Sequence, residues 1–263
     1  MSDWKEYKLG DISEIIGGGT PKTDISEYWN GNIPWITPRD LTGYKKTYIA
    51  CGERCITEDG LANSSARLLP KGAVLLTSRA PIGYVAIAEN EICTNQGFKS
   101  IIPKAGKLDN VFIYYWLRGN TAYLQGLGSG TTFAEISGGV VKEIELSVPS
   151  LPEQKAIASV LSSLDDKIDL LHRQNKTLEA LAETLFRQWF VEEAQEDWEE
   201  VRLGDFFPVI TGKKDANFGT DDGEYPFFTC SQLPIKAPDY SFDGAAILLA
   251  GNGSRRNRVK YPG

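Results

Sequence analysis

From Glu153 to Glu193 the chain contains neither glycine nor proline. Within that stretch Ile157, Leu161, Leu164, Ile168, Leu171, Asn175, Leu178, Ala182, Leu185 and Trp189 recur at alternating spacings of four and three. This is the a/d seam of a coiled-coil helix, in which 3.5 residues per turn keep one stripe toward a partner. At 1.5 Å per residue, some forty residues make a rod of about 60 Å. A chain of 263 residues cannot enclose such a rod. The rod must project, and its stripe, widened by Val160 and Leu181, needs a second helix. Asn175 interrupts the seam at an a position, either as a buried polar residue that fixes register or at a gap wetted by solvent. The start is marked by PSLPEQ, Pro149 to Gln154. There Ser150 with Glu153 fits a capping box, and Pro152 is tolerated in the first turn.

The segments on either side of the rod begin alike. WKEYKLGD opens at Trp4 and WEEVRLGD at Trp198, with five of eight letters identical. Further on, IPWIT (Ile33 to Thr37) answers YPFFT (Tyr225 to Thr229). A period of domain size means duplication of a domain and not a solenoid of short repeats. Residues 1–150 read as an α+β domain of mixed strands and short helices. Ala73 to Leu76 and Tyr84 to Ala88 are apolar runs between turn residues, the pattern of buried strands. VFIYYWL, Val111 to Leu117, is expected to be a buried helix. The predicted organisation is a first domain at 1–150, a spacer helix at 151–193, and the start of a second domain at 198–263. That second copy is expected to be incomplete, from either a shortened gene or a partial sequence.

Catalytic patterns are missing. The single histidine, His172, sits on the rod, where a solvated role is favoured over a triad. No HExxH or Walker A motif occurs, and GLGSG (Gly126 to Gly130) has the wrong spacing for a dinucleotide loop. Cys51, Cys55, Cys93 and Cys230 lack the second ligand pair of a zinc site and are expected to be free cytosolic thiols. No metal site, signal peptide or membrane span is expected, and the predicted location is cytoplasmic. The net charge of −7 argues against a nucleic-acid binder when taken as a total. Its distribution changes that reading. Residues 151–197 carry 5 basic and 10 acidic residues, whereas 1–150 carry 15 and 16. The flanking domains are near neutral and can hold a basic face. The acidic rod would stand off phosphate, with Asp165, Asp166, Asp169 and Glu179 as its repelling charges.

Several segments together resemble the specificity subunit of type I restriction-modification systems. They are WKEYKLGD, GGTP (Gly18 to Pro21), EYWNGNIPWITPRDL (Glu27 to Leu41), GAVLLTSRAPIG (Gly72 to Gly83), TNQGF (Thr94 to Phe98), SGTTFAEIS (Ser129 to Ser137) and PSLPEQKAIASVLSSLDDKIDLL (Pro149 to Leu171). The resemblance implies two target-recognition domains held apart by two antiparallel helices, each domain reading half of a bipartite duplex DNA target. It implies a non-catalytic subunit. The partners would be modification (methyltransferase) subunits acting on adenine and a motor-nuclease subunit. S-adenosylmethionine, ATP and Mg would be cofactors of those partners alone. If the chain is naturally this short, its stripe would pair with a second copy, giving a homodimer.

A base reader uses Arg or Lys toward guanine and Asn or Gln toward adenine, with further contacts to phosphate. The segment 37–67 offers Arg39, Tyr44, Lys45, Lys46, Arg54, Asn63 and Arg67, with Tyr48 between them. A second group is Arg79, Asn95, Gln96 and Lys99, with Ser78. The less family-like stretch 42–67 is the preferred reading site. Arg255, Arg256, Arg258 and Lys260 would serve a second half-site. The helix-pairing residues are Ile157, Leu161, Leu164, Ile168, Leu171, Asn175, Leu178 and Leu185. The competing reading is a coiled-coil interaction protein whose recognition domain has decayed and no longer reads DNA.

Overall fold

The computed structural model describes residues 4–129, 134–195, 197–231 and 233–249, and the backbone of 259–260. The molecule divides into two compact units, Met1–Phe186 and Arg187–Gly263. In the first, the chain runs β1 (Lys5–Lys8), α1 (Leu9–Ile12), β2 (Ser13–Gly17), β3 (Trp29–Ile36), β4 (Tyr48–Ile49), β5 (Arg54–Ile56) and α2 (Glu58–Ala62). It continues through β6 (Val74–Leu76), β7 (Val85–Ala88), β8 (Cys93–Thr94), β9 (Lys99–Pro103), α3 (Asn110–Gly119), α4 (Thr121–Gly126), α5 (Gly138–Lys142) and β10 (Glu145–Val148). The long helix α6 (Leu151–Arg187) follows. This is the mixed α+β architecture with one long helix that the sequence predicts.

A five-stranded sheet has the order β2-β9-β6-β7-β4, a three-stranded sheet the order β5-β3-β8, and β1 pairs with β10. The apolar runs of β6 and β7 are central strands because both faces of their sheet are covered. Successive side chains point to opposite faces. Val74 and Leu76 therefore join Ile87, Ile101 and the α3 residues Phe112, Ile113 and Leu117 in one core. Leu75, Ala86 and Ala88 join Ile36, Leu41 and Phe98 in the other. A third cluster holds Trp29, Ile33, Trp35, Ile56 and Cys93 behind β3. VFIYYWL is helical, as expected, and is capped by Asp109, whose carboxylate accepts the Val111 and Phe112 N–H groups.

The base of α6 differs from a free rod. Gln154 and Ala158 are buried, and Ile157 packs against the first core. From 166 to 184 every residue is exposed. A π-helical turn, Gln188–Glu192, follows in the second unit. That unit contains two short antiparallel pairs, β11 (Tyr225–Phe227) with β12 (Ile235–Ala237) and β13 (Leu248–Leu249) with β14 (Val259–Lys260). The repeat is visible in local structure: YPF is a strand, like the end of β3, and LGD is a helical turn, like the start of α1. Burial is not repeated. Leu9 is 0% exposed and Leu203 is 66% exposed. Leu9 shares a core with Val141, Ile144 and Leu146 of its own unit, far along the chain. Among the described residues no helix is long and apolar enough to cross a membrane.

One core atom is out of place. Ser100, in β9, is fully buried, and its hydroxyl has no hydrogen-bond partner among the described residues. Leaving a buried hydroxyl unsatisfied costs about 1–3 kcal/mol, so Ser100→Ala is expected to stabilise the first unit. At the low end of that cost, calorimetry should show a rise of roughly 2–4 °C in the melting temperature.

Candidate nucleic-acid interface

Strand directions carry four loops to one end of the two sheets. Gly17 at the end of β2 lies opposite Lys99 at the start of β9. Thr77, just past β6, bridges Phe98. β3 and β8 run parallel, so Ile36 and Thr94 finish side by side, and the Asn95 N–H donates to the Ile36 carbonyl at 2.9 Å. β4 runs parallel to β7, so the segment entering β4 lies toward the same end. The loops at 18–21, 37–47, 77–84 and 95–98 therefore assemble from segments up to 80 positions apart.

Close backbone contacts weld this end together. The Gly19 N–H donates to the Thr94 carbonyl at 2.9 Å, and Ser78 N–H to the Gly97 carbonyl at 2.7 Å. The Trp35 indole donates to the Gly19 carbonyl at 2.9 Å. Thr20 Oγ1 donates to Gln96 Oε1. Such approach requires glycine: a Cβ on Gly18 would fall 2.0 Å from the Asn95 carbonyl oxygen, and one on Gly19 would fall 2.3 Å from the Ser65 carbonyl carbon. GGTP and TNQGF are thus two halves of one junction.

Several candidate residues meet here, and their partners divide them. Arg39 stands on a 3-10 turn, Pro38–Leu41, held by Asp40. Asp40 accepts from Thr37 N–H at 2.7 Å, from Thr37 Oγ1 at 2.6 Å, and from Glu53 N–H at 2.8 Å. Arg39 is exposed and lies 3.8 Å from Glu53. The Arg54 guanidinium lies 3.5 Å above the Trp29 ring. Tyr44 OH donates to the Tyr48 carbonyl at 2.5 Å. Burial first, then Glu89 for Tyr44 and Asp109 for Tyr48, pushes both phenols above their ordinary pKa, so they stay protonated. Asn63 donates to the Asp59 carbonyl of its own helix at 2.9 Å, and Asn95 Oδ1 accepts the Gly97 N–H at 2.9 Å. Gln96 is exposed. Lys45, Lys46 and Arg67 are exposed and carry no ion pair or side-chain hydrogen bond among the described residues.

Arg79 and Lys99 converge on Glu135, at 2.9 and 3.2 Å. Burial alone would raise the Glu135 carboxyl, but the hydrogen bonds and charges of Arg79 and Lys99 outweigh it and hold the carboxyl below its usual range. Glu135 binds Arg79 through Nε, and the Arg79 side chain stays partly exposed. Sequence reasoning singled out neither Glu135 nor Asp40. Thr37-Pro38-Arg39-Asp40 carries a legible signal, a Thr with an acid three residues on. Glu135 carried none, because its partners lie 36 and 56 positions away.

Burial pushes the Cys93 thiol up to about 12, and all four cysteines are free. Arg255, Arg256 and Arg258 and the side chain of Lys260 lie outside the described residues, as do residues 130–133 of the SGTTFAEIS segment. Of the helix-pairing candidates, Ile157 packs on the domain's own core, while Leu161 and Leu185 are half-buried. Leu164, Ile168, Leu171 and Leu178 are 57%, 52%, 44% and 62% exposed, and Asn175 is exposed among them. Asp165 is not a free stand-off charge. It lies 2.7 Å from Arg118.

Comparison with known proteins gives a consistent result. The family model described as the type I restriction modification DNA specificity domain matches residues 1–180. The type I restriction enzyme MjaIX specificity subunit of Methanocaldococcus jannaschii is 46% identical over 229 residues, covering 80% of this chain and 53% of that protein. The EcoR124I/EcoR124II specificity subunit of Escherichia coli is 31% identical over 170 residues, covering 62% and 41%. A crystal structure of the type-I restriction-modification S subunit from M. genitalium shares the fold. Its TM-score is 0.58 at 19% identity, over 99% of this chain and 68% of that one. The chain spans about half the length of the curated relatives it matches.

Proposed function

The chain belongs to the type I restriction-modification DNA specificity family, and on that premise we propose that the loop end of its first domain reads a short duplex DNA sequence. The observation that carries the reading is the convergence of four loops at one end of the sheets. That end presents two cations with no ion pair among the described residues, Lys45 and Lys46, beside Arg79, whose Nε is held by Glu135. Lys45 and Lys46 suit phosphates, which fix position without sequence information. Arg79 suits the paired acceptors of guanine in the major groove. The first part of the preferred reading stretch, 42–47, lies toward the same end as the 95–98 turn.

The chemistry of the assembly belongs to other subunits in this proposal. Modification subunits would methylate adenine with S-adenosylmethionine, and a motor-nuclease subunit would use ATP and Mg. This chain would supply target choice. The exposed stripe of α6 would accept a helix of like pattern. When the 263-residue chain is purified alone, a second copy would supply that helix in antiparallel register. A two-fold reader demands a two-fold target, so the site would be an interrupted palindrome.

Selection from a random duplex library, followed by titration at several salt concentrations, tests the DNA reading. Binding should weaken steeply between 50 and 200 mM salt, because each phosphate contact contributes about −0.9 to the logarithmic slope. The Lys45→Ala/Lys46→Ala variant should bind all sequences more weakly and reduce the slope by about 1.8. Arg79→Ala should instead relax preference at one base, by roughly 1–3 kcal/mol. Enrichment of no sequence together with salt-independent binding would leave only an interaction protein that does not read DNA.

A further inference from the structure

Two polar contacts join the base of α6 to α3. Gln154 is 1% exposed. Its Oε1 accepts the Asp109 N–H at 2.9 Å, and its Nε2 donates to the Lys107 and Pro149 carbonyls, each at 3.0 Å. Asp109 is the residue that caps α3. Eleven positions on, Asp165 Oδ2 accepts from Arg118 at 2.7 Å and from the Tyr115 hydroxyl at 3.0 Å. Tyr115 and Arg118 lie on the later turns of α3. Eleven residues are about three turns, so Gln154, Ala158, Leu161 and Asp165 share one face. Ala158, between the two contacts, is buried.

Apolar contact alone tolerates sliding, because it has no direction. A buried amide does not: each of its polar atoms must be matched or its burial is costly, so only one placement satisfies it. The two contacts sit at opposite ends of α3 and hold α6 in both position and heading. Beyond Asp165 the helix has no such support, since residues 166–184 are all exposed.

We propose that Gln154 and Asp165 are positioning residues that fix the heading of α6 against the recognition domain, and with it the number of base pairs between the reading loops and the reader of the other half-site. The second clause rests on the DNA reading above. The helix acts as a lever. From Gln154 to Asp165 is about 16 Å, and from Gln154 to Phe186 about 48 Å. A lateral slip of ~1 Å at Asp165, pivoting on Gln154, becomes ~3 Å at Phe186, close to the ~3.4 Å rise of one base pair. Contacts inside one domain thereby determine whether a gap of n base pairs is told from n + 1.

The test places nitroxide labels on the full chain at Lys22→Cys, beside the reading loops and away from the pivot, and at Lys176→Cys, with Cys51, Cys55 and Cys230 replaced by serine. Labelled chain is diluted into unlabelled chain so that only distances within one chain are read. The wild-type clamp should give one narrow distance distribution. Asp165→Ala and Arg118→Met should broaden it while the melting temperature of the domain stays within a few degrees. The exchange Arg118→Asp with Asp165→Arg should narrow it again. Gln154→Met should broaden it further. A narrow distribution in Asp165→Ala, or broadening that the exchange fails to repair, overturns the clamp. In a duplex selection, wild type should enrich half-sites at one gap length, and Asp165→Ala at gaps spread about one base pair either side. A single gap in both proteins overturns the positioning role. If wild type enriches no bipartite sequence, the DNA reading fails, while the label distances still decide the clamp.

Discussion

Replacing Leu164 and Leu171 with aspartate is expected to keep the chain monomeric where the wild-type chain would pair through α6, a shift in dissociation constant of about a hundredfold to ten-thousandfold. Both side chains are roughly half exposed, and every residue from 166 to 184 is exposed. Burial of a leucine is worth about 1.5–3 kcal/mol, and a two-fold pair loses four leucines at once. Even if pairing buries only half of each, the loss is ~3–6 kcal/mol, or roughly two to four decades of affinity. The new carboxylates add like-charge repulsion to a stretch already rich in acid. Leu170→Asp is the control: Leu170 is exposed but lies outside the seam, so the pair should survive its change. Sedimentation velocity at micromolar concentration decides the matter. A monomeric wild-type chain would remove the proposed self-pairing.

The parts of this molecule that were legible in the sequence are those written in local periodicity. The seam of α6 shows in spacings of four and three, and β6 and β7 show in short apolar runs between turns. The LGD of the duplicated WKEYKLGD and WEEVRLGD forms a like helical turn in both units. What stayed hidden depends on contacts between distant positions. Asp165 reads as one more acid on an acidic rod, yet it meets Arg118, 47 positions back. Gln154 reads as a polar residue in a helix's first turn, yet it is among the most enclosed polar residues of the first unit. Lys99 and Arg79 read as free cations until Glu135 is placed between them. For the candidate interface, sequence supplied suitable residue types but not their partners. Partners distinguish Lys45, which has no ion pair among the described residues, from Lys99, whose side chain is 15% exposed and ion-paired. Ile157 belongs to the seam by spacing and to the domain core by position, because the helix base shares a face between the two.

Gly18→Ala should damage the loop end more than any single charge removal. Gly18 does not need glycine for an unusual backbone angle, since it is not among the residues with positive φ. It needs glycine for room. The added methyl would lie 2.0 Å from the Asn95 oxygen, 2.4 Å from Thr94 Oγ1 and 2.5 Å from the Thr94 carbonyl oxygen. Two of these atoms are backbone, and that backbone is held by β3 through Asn95 N–H and Ile36. Neither wall can retreat without parting β3 from β8. Overpacking that forces backbone movement costs up to about 3 kcal/mol, which for a unit of this size lowers the melting temperature by up to roughly 6–12 °C. Gly17→Ala is the matched comparison, because nothing lies within 4 Å of the methyl it would add. It should melt within a degree or two of wild type. Since Gly18 seats the loop against the 94–98 turn, the same change should also loosen Gln96 from Thr20, and duplex binding should fall with stability. A Gly18→Ala protein as stable as Gly17→Ala would mean that the two loops do not touch, and the convergence that carries the DNA reading would be lost with them.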